Sequence, residues 1–393
     1  MKSPSEKRLL QQLLDVAGVA IDGSRPFDIR VNRPEFYPRV LAGGSLALGE
    51  SYMDGWWDCD ALDRFFERVL GAGLDCRVER SKQLLWAWVK GQLTGSQSRF
   101  RAFEIGRQHY DLGNDLFTAM LDRRMNYSCA YWQFAQNLDA AQEDKLELTC
   151  RKLMLEPGMS VLDVGCGWGG FAIYAAEHYD AQVTGITVSR EQANLARERS
   201  HGLPVRIELK DYRDLRETFD RIVSIGMFEH VGISRYRTFM KVVARCVKPG
   251  GLFLLHTIGR NRSVKTLDPW FEKYIFPNAM LPSARQIITA AEDLFVLEDW
   301  HSFGSHYDPT LMAWHRNFSE SWPSICRSYD ERFYRMWTYY LLASAGAFRA
   351  RRNQLWQILL SKGGVKGHFP DYRNMRPGIG TRVGKKKEEA TII

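Results

Sequence analysis

A chain of 393 residues with 45% hydrophobic and 25% charged side chains has globular proportions, which excludes a disordered or low-complexity polymer. A net charge of +8 spread over that length indicates solubility and little more. No concentrated Lys/Arg stripe precedes the short run at 385–387, so nucleic acid is not an expected partner.

The N-terminal segment MKSPSEKRLLQQLL is charged and has no apolar stretch or cleavage site of a signal peptide. No run of about 18 apolar residues spans a bilayer, so any membrane contact is expected to be peripheral. Leu9, Leu10, Leu13, Leu14 and Val16 form one helical face and ALDRFFERVL (61–70) another. The Gly/Ser/Gln-rich GQLTGSQSRF (91–100) reads as a linker. The expected organisation is a smaller, mainly helical N-terminal domain over 1–95, a catalytic domain over 96–385 and a tail over 386–393.

From Asp139 the pattern changes. DAAQEDKLELTCRKLML is a helix ended by the turn Glu156-Pro157-Gly158. MSVLDVG is a buried strand followed by a glycine loop and a helix to His178. AQVTGITV is a second strand, SREQANLARERS a helix opened by Ser189, VRIELKD a third strand and RIVSIGM a fourth. SRYRTFMKVVARCV is a helix closed by Lys248-Pro249-Gly250-Gly251, and GLFLLHTI a fifth strand. FVLEDWHSF and QLWQILLSK complete the sheet. Strand after helix after strand predicts an α/β domain, a doubly wound, mostly parallel seven-stranded sheet. The segment 260–285, with Trp270, Phe271, Tyr274, Ile275, Phe276 and Pro277, interrupts this rhythm, and insertions of that length inside such domains are usually functional. The seven cysteines, Cys59, Cys76, Cys129, Cys150, Cys166, Cys246 and Cys326, contain no CxxC pair. They fit neither a zinc site nor a disulfide framework and read as reduced thiols in a cytosolic protein without a bound metal.

DVGCGWGG (163–170) lies where a strand meets a helix. Gly165, Gly167 and Gly169 permit a tight turn and close approach of a ligand, and the helix N-terminus that follows favours an anionic group. A dinucleotide site usually carries an acid at the end of the second strand. Here that strand ends GITVS, which argues against NAD. A glycine turn that only packs a helix on a strand is the bland alternative.

Further segments narrow the reading. HYDLGNDLF (109–117), MNYSCAYW (125–132), VLDVGCGWGGF, SIGMFEHVG (224–232), LLHTIG (254–259) and FGSHYDPTL (303–311), in this order, resemble the cyclopropane fatty acid synthases and their mycolic-acid relatives over roughly residues 100 to 380. The resemblance implies a class I S-adenosylmethionine-dependent methyltransferase that adds a methylene to the cis double bond of phospholipid acyl chains. It implies cofactor contacts at Tyr127, Ser128, Gly165, Gly167, Thr187, Gln192 and Tyr212. Such enzymes lack the ribose-binding acid, Thr187 and Gln192 taking its place. For Gln192 a second role stays open, since Ser189 and Gln192 also fit a capping box. The resemblance further implies a bicarbonate ion held by Cys129, Glu229, His256, Ile258 and Tyr307, and a homodimer.

The chemistry explains such a site. An alkene is a neutral nucleophile, so the sulfonium leaving group drives the reaction, and the protein must align the methyl carbon and exclude water. The resulting cation closes to a ring only if a base removes a proton from the delivered methyl. A side-chain carboxylate there risks alkylation, and a bound oxyanion is the alternative, with Glu229 accepting its hydroxyl, His256 and Tyr307 donating to it and backbone N–H groups near Cys129 and Ile258 assisting. Tyr127, Tyr307 and Trp132 offer aromatic faces to the cation. The Cys129 thiol is not expected to act as a nucleophile. Arg260, Arg262, Lys265 and Lys273, beside exposed aromatics of HYDLGNDLF and the insertion, are expected to meet an anionic leaflet at the inner face of the cytoplasmic membrane. FRARRNQ (348–354) reads as a solvated surface or a helix end. The apolar faces of the N-terminal helices are candidates to dock lipid or a second copy. Methyl or methylene transfer to another acyl or small heteroatom substrate is the sister activity on the same scaffold, and a non-enzymatic basic protein is the alternative of another class.

Overall fold

The computed structural model describes residues 3–74, 113–264 and 266–367, with Pro370 and Tyr372. The expected linker at 91–100, the boundary near 95, the first four residues of HYDLGNDLF, Cys76, Lys265 and the basic tail lie outside the described residues.

The sheet has seven strands in the order β5-β4-β3-β6-β7-β9-β8. These are β3 (Ser160–Val164), β4 (Gln182–Thr187), β5 (Val205–Leu209), β6 (Phe219–Ile225), β7 (Val247–Arg260), β8 (Val296–Ser302) and β9 (Asn353–Ser361). β3 to β7 pair in parallel, while β9 runs antiparallel between β7 and β8. FVLEDWHSF and QLWQILLSK therefore complete the sheet as expected. Parallel strands covered on both faces read as continuous apolar runs, and Leu252 to Leu255 of β7 are all buried. Chain order reverses between β3 and β6, which opens a crevice at their carboxyl ends.

Local chemistry sets the helix starts. Asn137 caps α5 (Leu138–Lys152) by accepting from the Ala140 N–H at 2.9 Å, and Ser189 caps α7 (Arg190–Arg199). The glycine loop leads into α6 (Gly170–Tyr179). The amphipathic α8 (Tyr236–Cys246) buries Tyr236, Phe239, Met240 and Val243 against the sheet.

The N-terminal region holds α1 (Ser3–Asp15), α2 (Phe36–Met53), α3 (Leu62–Gly71) and a two-stranded ribbon of β1 (Arg30–Val31) and β2 (Trp57–Asp58). Its apolar faces are covered from within the chain. They share one hydrophobic cluster with α4 (Asn114–Met120), α9 (Pro269–Tyr274), α11 (Tyr307–Ile325) and α12 (Glu331–Arg349), whereas α10 (Ala284–Ala291) joins α8 in the cluster on the sheet. α3 crosses α12 at Gly346, where a Cβ would lie 2.6 Å from the Phe66 Cβ. Arg349, the last residue of α12, holds Asp308 through two nitrogens at 2.9 and 2.7 Å and Asp63 of α3 at 2.8 Å, so this arginine of FRARRNQ is an internal clamp.

The insertion corrects one expectation. Its aromatics do not form an exposed fringe: Trp270 and Tyr274 are buried. Trp270 packs on Gly49 and on Tyr339 with ring centroids 4.4 Å apart. Lys273, expected to face a leaflet, donates to Glu50 at 2.6 Å. Burial of the Trp270 and Tyr274 rings is the dominant gain, and Glu50 gives Lys273 a partner beside them.

Candidate active site

The glycine turn sits on the crevice. Gly165, Gly167 and Gly169 have φ of 84°, 53° and 83°, values that side chains resist. A Cβ at Gly165 would lie 2.7 Å from the Met227 Cβ, whereas one at Gly167 would meet no atom within 4 Å. The turn is thus tight on one side and open on the other, a cradle for a ligand. Met227 follows β6 and precedes Glu229 by two residues, so the cradle and the acid are neighbours across the switch point.

At the end of β4, the Thr187 hydroxyl donates to the Gln192 Oε1 at 2.9 Å, and the Ser189 N–H donates to Thr187 Oγ1 at 3.2 Å. Ser189 accepts from the Gln192 N–H, but the Gln192 side chain does not close the capping box. It turns to Thr187, into the place where an acid would hold a ribose. Tyr212, beyond β5, is buried against Phe239, and its hydroxyl is without a partner among the described residues.

Glu229 lies in a single 3-10 turn, Phe228–His230, beyond β6. Its Oε1 accepts from the Ile258 N–H at 2.6 Å, while its Oε2 is buried without a partner. Burial raises its carboxyl to about 7, against the lowering effect of the Ile258 N–H. His256 is on β7, two residues before Ile258. Burial holds its imidazole neutral, its pKa well below the ordinary range. The Gln357 Nε2 lies 3.4 Å from His256 Nδ1, and an amide N–H there makes Nδ1 the acceptor and leaves the proton on Nε2. That Nε2 is likewise buried without a partner.

The other wall is α11 and the segment before α5. Tyr307 opens α11, stacks on Phe348 at 4.4 Å and lies within electrostatic range of both Cys129 and Glu229. The Ala130 N–H and the Trp132 indole donate to Thr310 Oγ1 at 3.2 and 2.9 Å, and the Trp132 N–H donates to His306. The segment 127–132 is thereby pinned to α11. The Cys129 thiol donates to Ala130 O at 3.3 Å, and burial pushes it well above its ordinary value, so it is no thiolate, as expected. The Tyr127 and Tyr340 hydroxyls lie 2.7 Å apart, and the Tyr127 ring meets Phe117 and Trp314 at 5.1 and 5.2 Å.

Glu229, Ile258, Tyr307 and Cys129 therefore come together, with His256 next along β7. The Ile258 N–H donates to the Glu229 carboxylate, which joins β7 to the turn that carries the acid. Sequence reasoning missed Tyr340 and the buried Lys145, Asp122 and Asp163. Lys145 carried a signal, because it falls on the face of α5 that buries Ala141, Gln142, Leu148 and Thr149.

The model of the mycolic acid cyclopropane synthetase family matches residues 97–358, about two thirds of the chain. The chain belongs to that family. Its members are S-adenosylmethionine-dependent methyltransferases, and the open turn at Gly167 suits that co-substrate. The chain is 56% identical over 360 residues to the cyclopropane-fatty-acyl-phospholipid synthase of Escherichia coli, covering 92% of this chain and 94% of that one. Among solved structures it resembles the cyclopropane synthase MmaA2 of Mycobacterium tuberculosis, with a TM-score of 0.62, 31% identity and coverage of 68% of this chain and 99% of that one. Mycolic acid cyclopropane synthase CmaA1, solved with SAH and CTAB, gives a TM-score of 0.61 and 32% identity over 68% of this chain and 99% of that one.

Proposed function

We propose that this family member transfers a methylene group from S-adenosylmethionine to the cis double bond of an acyl chain in a membrane phospholipid, forming a cyclopropane ring. One observation carries the reading. A buried donor, His256 Nε2–H, and a buried acceptor, Glu229 Oε2, stand unpartnered beside the glycine cradle. Simple methylation of a heteroatom requires no such pair. A monoanionic oxyacid with one hydroxyl offers the complementary acceptor and donor, and bicarbonate fits these residues. When bound, bicarbonate supplies the base that removes the proton at ring closure.

The chain's own residues do the rest. Glu229 accepts a hydroxyl, which fixes orientation and raises basicity at the opposite oxygens. The Ile258 N–H holds Glu229 in place. His256 donates without carrying a charge that would compete for the anion's proton. The buried Tyr307 and the half-buried Tyr127 offer rings to the cation, and each face stabilises it by about 1–2 kcal/mol where water is excluded. The alkene takes the methyl carbon, homocysteine sulfur leaves with the electron pair, and one methyl proton departs as the ring closes.

No helix among the described residues is long and apolar enough to cross a membrane, in keeping with a cytoplasmic enzyme that works peripherally on the inner leaflet. The buried Tyr340 and the half-buried Phe271 and Phe276 that pack on it are the aromatic surface that supports an acyl-chain site. A homodimer is the assembly proposed from the family likeness. The test is product analysis after incubation with labelled S-adenosylmethionine and unsaturated phospholipid vesicles. The reading requires a lipid that gains one CH2 and loses its olefinic proton signals. A product that keeps a vinyl proton, or a saturated methyl branch, overturns it.

A further inference from the structure

Lys145 is fully buried in the middle of α5, a position where an ammonium is costly unless it is used. Its Nζ donates to the Ser128 Oγ at 3.0 Å and to the Asn126 Oδ1 at 3.2 Å. A lysine ammonium donates and never accepts. Ser128 must therefore be the acceptor in that bond, and its own O–H proton is directed elsewhere. The backbone of the same segment is fixed as well. The Gln142 amide donates to Ser128 O at 2.8 Å, and Asp122 accepts from the Asn126 N–H and side-chain amide at 2.8 and 2.9 Å.

This segment lies against the cofactor turn. A Cβ at Gly170, the first residue of α6, would sit 2.7 Å from Asn126 Oδ1 and 2.8 Å from Arg124 O. Asn126, which shares the Lys145 ammonium with Ser128, thus links that buried cation to the start of the glycine-loop helix, two features that favour an anion. The titratable groups facing Lys145 are Asp122, Asp163, Cys129 and His256, whose imidazole burial keeps neutral. Asp122 is committed to Asn126, burial raises Asp163 to about 7, and the Cys129 thiol is neutral. Burial lowers Lys145 to about 8, which leaves it mostly protonated at neutral pH.

We propose that Lys145 is a positioning residue for the co-substrate: it fixes the Ser128 hydroxyl as a donor and charges the pocket that receives the carboxylate at the amino-acid end of S-adenosylmethionine. The inference rests on the S-adenosylmethionine reading of the glycine cradle. It assigns Lys145 to binding, and ring closure does not involve it.

Calorimetric binding by the full-length protein tests it with two probes. S-adenosylhomocysteine carries the carboxylate, and 5′-methylthioadenosine lacks the amino-acid end while keeping the nucleoside. Lys145→Met is expected to weaken S-adenosylhomocysteine about tenfold to hundredfold, the range of a lost charge-assisted hydrogen bond, and to leave methylthioadenosine within about twofold. Ser128→Ala is expected to show the same selective loss on a smaller scale. The double variant is expected to bind no more weakly than Lys145→Met, because the serine donates to the carboxylate only while the lysine holds it. A purely structural lysine would weaken both ligands equally, and that result overturns the proposal, as does additivity of the two variants. If Lys145→Met does not fold, Ser128→Ala decides alone: unchanged affinity for S-adenosylhomocysteine overturns the assignment. Wild-type protein that binds neither probe would remove the reading beneath it.

Discussion

The half of the molecule around the glycine turn and the half around the aromatic wall are held together differently. In the first, contacts run between neighbours in sequence or adjacent strands: Thr187 with Gln192, Ser189 with Gln192, Gly165 with the end of β4. In the second, the partners are far apart. The Trp270 indole reaches Met53 and the Trp337 indole reaches Met120, each across 217 positions, and Arg349 ties the N-terminal α3 to α11. The first half is a local device that presents a co-substrate. The second is a wall assembled from both ends of the chain.

The contrast predicts that chemistry fails by mutation in one half and stability in the other. The largest effect is expected at Glu229. Glu229→Gln keeps the contour but donates where the carboxylate must accept, and kcat should fall about 10²–10⁴-fold with S-adenosylhomocysteine affinity unchanged; a tenfold or smaller loss in a steady-state assay would break the division. In the aromatic half, Trp270→Ala removes a wholly buried ring and should cost about 3–5 kcal/mol in denaturant unfolding. Arg349→Leu leaves Asp63 and Asp308 half-buried without their cation, and should cost about 1–3 kcal/mol while Glu229 chemistry persists in the folded fraction.

The pH response sharpens the same line. Burial raises the Glu229 carboxyl from 4.5 to about 7. Between those values the folded state keeps a proton that the unfolded chain has released. Glu229 therefore destabilises the fold progressively as pH rises from about 4.5 to 7, by about 1–3 kcal/mol. Glu229→Gln should gain stability over wild type as the pH is raised from 5 to 8, measured by thermal unfolding. Activity has the opposite sign, because the accepting form is the ionised one: kcat should rise through about pH 7. The smallest effect is expected at Gln192→Ala, a severalfold rise in KM for S-adenosylmethionine with kcat retained.

Much of the first half was legible in the sequence. Apolar runs between turn signals gave the parallel strands, and Gly165, Gly167 and Gly169 marked the cradle because only glycine takes those backbone angles cheaply. Glu229 and His256 came into view through the family resemblance of SIGMFEHVG and LLHTIG. What stayed hidden depended on distant partners. Trp270 and Tyr274 were read as exposed because nothing local shows that Gly49 makes room for the indole. Arg349 was read as a solvated end because Asp63 and Asp308 lie far along the chain. Lys145 stands among several charges on its helix, and only its place on the buried face sets it apart.

The central claim is that Glu229 and His256 hold an oxyanion that the reaction needs. The direct measurement is turnover of unsaturated phospholipid in buffers stripped of carbon dioxide, with bicarbonate added back. The account predicts turnover that falls on stripping and recovers saturably with bicarbonate in the wild type, with recovery blunted in His256→Gln. Turnover that is the same with and without bicarbonate would contradict it.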